Sequence, residues 1–178
     1  MLTRLSIIKN NKEIQEQLET IFDFIINTKS LSTSDFLFTL NANCYIFATD
    51  GAGNCFGFLD DNSEDSPVLY VNHEGSYAVI ANNLVDFLST IVSHPYYWND
   101  ILQNNSLYNS EELANKIIEW QQEILNDIPD LNQIQRSICN CLNLNYNKHS
   151  YEKMLKCLNA YNQYKVCDLA NNPYSKFI

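Results

Sequence analysis

The chain lacks cations over nearly half its length. From Ser30 to Asn115 there is no Lys or Arg. The same window holds eleven acids: Asp35, Asp50, Asp60, Asp61, Glu64, Asp65, Glu74, Asp86, Asp100, Glu111 and Glu112. It contributes −11 to a formal net charge of −10, and the two flanks together contribute +1. No ion pair can form within the window, so it must present a negative field. The charge argues against nucleic acid and anionic membrane as partners, because both would repel it. A basic protein surface is the natural complement, although plain solubility would account for the same charge.

Glycine and proline are also scarce, at four each in 178 residues, which argues against long flexible linkers. The length suits one domain, or one domain with an appendage. Hydrophobic residues make up 46% and aromatics 12%, enough for a core and too much for disorder. No apolar run approaches the ~18 residues of a membrane span. The N-terminal stretch MLTRLSIIKNNKE has no signal-peptide core, so a cytoplasmic location is expected. In that reducing compartment all six cysteines are expected as thiols. Local geometry agrees. In a hairpin turning at Gly51-Ala52, Cys55 faces Ala48 or Thr49, not Cys44.

Catalytic vocabulary is thin. The three histidines, His73, His94 and His149, fall in or beside turns or helix ends, where structural or solvated roles are usual. His94 sits in a last helical turn, where a cation suits the helix dipole. Cys139 and Cys141 are two apart on a predicted helix, so their thiols point to nearly opposite sides and make no zinc knuckle. Cys157 and Cys167 read as small apolar residues on helices. The run Asp50-Gly51-Ala52-Gly53-Asn54 looks superficially like a phosphate cradle. It has no following Lys, opens no helix, and its own Asp would repel phosphate. It misses the calcium-loop pattern as well. No catalytic residue, metal ligand or cofactor is expected, and the chain reads as a non-enzyme.

Periodicity divides the chain. Asn10-x-x-Glu13 resembles a capping box, with Ile14, Leu18, Ile21 and Ile25 at helical spacing behind it and an expected end near Thr28. Short β-branched and aromatic runs follow at Phe36–Leu40, Cys44–Thr49, Cys55–Leu59, Val68–Asn72 and Tyr77–Ala81. Turn residues separate them, as in an antiparallel meander. Gly51 and Gly53 are available for positive φ in the first hairpin. Asn82 or Asn83 then caps a helix with the stripe Leu84, Phe87, Leu88, Ile91 and Val92, closed by Pro95 and laid across one face of the sheet. The remainder reads as helical, with starts at Asn109-x-x-Glu112, Pro129 and Ser150. The expected fold is α+β: a mostly antiparallel sheet of about five to six strands flanked by helices, with a helical C-terminal part. The expected division is a core over 1–105 and a helical extension over 106–178 packed on it.

Two surface features are candidate contact sites. The loop Asp60-Asp61-Asn62-Ser63-Glu64-Asp65 is the densest acid cluster. A solvated turn, a contact patch for a basic partner and a weak divalent-cation site all fit it. Tyr96, Tyr97 and Trp98 read either as packing against the sheet edge or as an exposed aromatic anchor. With Asp50 and Glu74, these residues make up the candidate partner-binding set.

The segment YIFATDGAGNCFGFLDD…SPVLYVNHEG…AVIANNLVDFL resembles the SUKH superfamily. That group includes yeast cell-wall-synthesis regulators of the Smi/Knr type and many bacterial immunity proteins that neutralise toxins. The matching elements are Asp50-Gly51-x-Gly53, Asp60 after the second strand, Pro67-Val68, Glu74-Gly75 and Phe87-Leu88. The resemblance runs from Cys44 to Val92 and stops short of the helices after Pro95. It implies an α+β fold, no enzymatic activity and no cofactor. The implied role is direct binding of a cognate polymorphic toxin; a regulatory or scaffold protein binding a host protein, or an unrecognised enzyme, are the alternatives. The charge asymmetry points to a basic partner independently, because an acidic inhibitor captures a basic toxin faster. The sequence leaves the oligomeric state open.

Overall fold

The structure is a computed structural model and describes residues 2–177. Two short helices open the chain: α1 (Arg4–Asn10) and α2 (Lys12–Phe22). The expected cap at Asn10 falls one residue later. The Asn11 side chain accepts from the Ile14 N–H at 3.2 Å, which satisfies one free donor of the first turn. The helix also ends earlier than Thr28, because Asp23 turns left-handed (φ 52°) and the chain enters β1 (Ile25–Leu31). Two periodicities overlap here. Ile25 continues the helical stripe of Ile14, Leu18 and Ile21, while Phe22, Phe24 and Ile26 alternate as a strand does and are all buried.

The strands that follow are β2 (Phe38–Leu40), β3 (Cys44–Thr49), β4 (Cys55–Leu59), β5 (Val68–Val71) and β6 (Ser76–Ala81). Near the C-terminus lie β7 (Val166–Asp168) and β8 (Ser175–Lys176). One sheet has the order β1-β3-β4-β5-β6-β8 and is antiparallel except where β8 joins β6; β2 and β7 form a separate antiparallel pair. The run from Phe36 therefore does not begin the meander. Thr33–Phe36 form a 3₁₀ turn, Leu37 has φ 58°, and β2 is turned out of the main sheet. In the first hairpin Cys55 pairs with Thr49 and Cys44 with Leu59, and all six cysteines are free thiols.

The helix after the meander, α3 (Leu84–Ser93), is capped by Asn83, whose side chain accepts from the Asp86 N–H at 2.8 Å. Its stripe lies on the sheet as expected. The Phe87 ring sits 5.7, 6.1 and 4.9 Å from those of Phe24, Phe47 and Phe56. Full burial of such a ring is worth about 2–3 kcal/mol, with roughly 0.5–1.5 kcal/mol more from each well-placed aromatic pair. Four further helices follow: α4 (Trp98–Asn104), α5 (Ser110–Asp127), α6 (Leu131–Leu142) and α7 (Tyr151–Ala160). Asn109 and Glu112 form the reciprocal capping box read from their spacing. The C-terminal part is helical over α5–α7, but it is not helical throughout. The chain returns to extended structure at β7 and β8, and Cys167 lies on a strand. The second face of the sheet is covered by Phe38, Tyr164 and Val166, which form a smaller core with Ile46, Leu69 and Val79.

Candidate functional site

The candidate acids fall at opposite ends of the sheet. The loop joining β4 to β5 carries Asp60, Asp61, Glu64 and Asp65 at one end. The β3–β4 and β5–β6 turns carry Asp50 and Glu74 at the other.

The acidic loop is braced by its own backbone and by both ends of the chain. The Asp60 N–H donates to Asn43 O at 2.9 Å, Ser63 N–H to Asp61 O at 2.9 Å, and Leu84 N–H to Glu64 O at 2.8 Å. The Glu64 carboxylate accepts from the Leu5 N–H at 2.9 Å and pairs with Arg4 at 3.7 Å. The Asp60 carboxylate accepts from the Tyr164 hydroxyl. Burial, then the Asp60 bond and charge, push that phenol up to about 12, so it stays a donor. Two of the four acids are thus fasteners. Asp60, Asp61 and Asp65 are exposed and belong to no ion pair among the described residues. The bracing residues lie 59 and 104 positions away in the chain and carry no local signal that would have revealed them.

At the far end Asp50 is 4% exposed and works inward. Its Oδ1 accepts from the N–H groups of Ala52 and Asn54 at 3.0 and 2.9 Å; its Oδ2 accepts from Asn54 Nδ2 at 2.7 Å and from the Tyr70 hydroxyl at 3.4 Å. Of the two turn glycines only Gly53 has positive φ (84°). Gly51 is needed for close approach: its N–H donates to Asp23 Oδ1 at 2.7 Å, and a Cβ there would lie 2.9 Å from that oxygen. Burial raises the Asp23 pKa, the Gly51 N–H lowers it and the Asp50 charge raises it again. Glu74 is exposed, beside Gly75 with φ 83°.

The aromatic triplet divides in the same way. Tyr97 and Trp98 are 3% and 1% exposed and belong to the core, with Trp98 edge-on to Tyr70 at 5.2 Å. Tyr96 is 45% exposed, and its hydroxyl donates to Thr20 O at the end of α2. His94 does not carry the helix-end charge expected of it. Burial, then the charge of His149, hold its pKa down to about 3, so the ring is neutral near pH 7.

Four of the six cysteines sit where burial disfavours the thiolate. Burial pushes the Cys44 thiol up to about 12 and Cys157 to about 11, and it raises Cys55 and Cys139 too, so all four are protonated at neutral pH. Among the described residues no three His, Cys, Asp or Glu side chains gather as metal ligands do, and no helix is long and apolar enough to cross a membrane.

No curated protein and no solved structure gives a match to the chain. Residues 4–90, from the start of α1 into α3, match the model of the SMI1 / KNR4 family (SUKH-1), within the SUKH superfamily that the meander and its following helix resemble.

Proposed function

We propose that the chain is a non-enzymatic binding protein of the immunity type, which neutralises a cognate polymorphic toxin by direct contact. The observation that carries this reading is the construction of the β4–β5 loop. Asp60 and Glu64 hold it in place through their carboxylates, and Asp60, Asp61 and Asp65 face solvent without a cation partner among the described residues. A loop fixed before contact avoids the ordering cost of binding, and its free carboxylates steer a basic partner toward it. The SUKH-1 match over 4–90 supports the binding-module reading. The exposed members of the candidate set, Asp60, Asp61, Asp65, Glu74 and Tyr96, are the contact residues of this proposal. Asp50, Tyr97 and Trp98 are buried and offer no contact surface.

The test is co-expression with the product of the adjacent gene, followed by stopped-flow association. A stoichiometric complex is expected, with an on-rate that falls as salt rises. The double variant Asp61→Lys/Asp65→Lys should slow association about tenfold or more, with dissociation little changed. An on-rate indifferent to salt and to both reversals overturns the acidic-loop assignment. Inhibition of a toxin activity carried by the neighbour separates the immunity role from a scaffold role.

A further inference from the structure

At the end of α3 remote from the acidic loop, a cavity of about 260 Å³ opens between Ser93–Tyr97, α5 and the segment 144–151. The ten residues of α3 separate the two sites by roughly 15 Å. Tyr97, Ile117, Ile118, Tyr146 and Tyr151 give the cavity an apolar lining. The volume lies just under the range typical of drug-sized ligands and suits a single ring.

The charge of the cavity opposes that of the chain. Although the protein has 21 acids, none lines the cavity, whereas Lys148 and His149 both do. Lys148 belongs to none of the ion pairs among the described residues, and His149 pairs with Glu152 at 3.3 Å. Burial and then Cys139 raise the Tyr146 pKa, and the charge of Arg136 lowers it in part, which places that cation close to the cavity.

His94 and Tyr97 form the inner wall of the cavity. The Tyr97 hydroxyl donates to Gln121 Oε1, so toward His94 Nδ1, 3.4 Å away, it acts as an acceptor. His94 is 1% exposed and its Nε2 is closed to solvent, so the ring gives the cavity a packed wall and no hydrogen bond to an occupant. His94 stands edge-on to Tyr97 and Tyr151 at 5.4 and 5.6 Å, so the ring is held in a fixed orientation.

We propose that this cavity binds a small aromatic carboxylate: the ring packed among the tyrosines and Ile117, and the carboxylate at Lys148. The site is separate from the toxin-binding reading and stands without it. The experiment uses the full chain and benzoate as probe, followed by calorimetry and by amide chemical shifts. Saturable 1:1 binding with a Kd of roughly 0.1–1 mM is expected, with shifts at Ala114, Gln121 and His149. The uncharged benzamide and the variant Lys148→Gln should each bind about tenfold more weakly. Ile118→Glu places an acid at a position already 67% exposed, so the fold is spared while binding is lost. No saturable shift up to about 5 mM overturns the proposal. Equal affinity for acid and amide, or unchanged binding in both variants, overturns it as well.

Discussion

Burial decides the chemistry of single residues here more than their identity does. His94 has the sequence context of a helix-end cation, but its ring lies under Tyr97 and Tyr151, and the neutral form wins. The unfolded chain takes up a proton near pH 6.5, and the folded chain resists it until about pH 3. Acidification through that window therefore favours unfolding, with a limiting slope of about 1.4 kcal/mol per pH unit from this one group. A His94→Gln variant should lose that dependence. By urea unfolding at pH 7 and pH 5, the wild type is expected to lose roughly 2 kcal/mol more than the variant. Equal losses would show that the ring is solvated in the folded state. Gly57 is another position whose role no local pattern reveals. A Cβ there would sit 2.4 Å from Cys44 Sγ across the strand pair, a constraint created only by the register of β3 and β4.

Elements were legible where a pattern repeats often enough to be counted. The strands β3, β4 and β5 start where their aromatic and β-branched runs start; α3 and α5 begin behind the Asn caps that their spacing showed. Short or partnered elements were not legible. Strand β1 hides behind the helical stripe of α2, while β7 and β8 have three and two residues, too few for a period of two to register. The candidate site was legible in the same proportion. Its acid loop was visible as composition, but Arg4 and Tyr164, which brace it, come from distant elements. Strand β8 carries a consequence of its own. Its Ser175 N–H donates to Gly75 O at 2.8 Å and Phe177 N–H to Tyr77 O at 3.0 Å, so it covers the outer edge of β6. Ser175→Pro removes the first donor. The variant should lose about 1 kcal/mol. In hydrogen exchange, the Phe177 amide should become unprotected while β4 and β5 keep their protection, and the bared edge should raise self-association in sedimentation. Retained protection at Phe177 would mean that the Lys176 contacts with Tyr161 O and Asn162, at 3.3 and 2.6 Å, hold the strand without it.

Across the whole molecule, folding answers only a small part of the charge imbalance. Arg4 reaches Glu64 and Lys153 reaches Asp86, so two of the window's eleven acids gain a cation from the flanks. The other nine have no Lys or Arg partner among the described residues. Drawing them onto one compact body raises their mutual repulsion above that in the extended chain, which opposes folding. Added salt screens this repulsion more than it weakens the few exposed pairs, each worth under about 1 kcal/mol. The melting temperature at pH 7 should therefore rise by about 2–4 °C between roughly 10 mM and 150 mM NaCl, the shift that ~1 kcal/mol produces in a chain of this size. Near the pI of about 4.6 the net charge vanishes and the rise should vanish with it. A melting temperature that falls with salt at pH 7 would mean that attraction between flanks and window outweighs repulsion within it. The acidic surface would then be spent on the fold and not held for a partner.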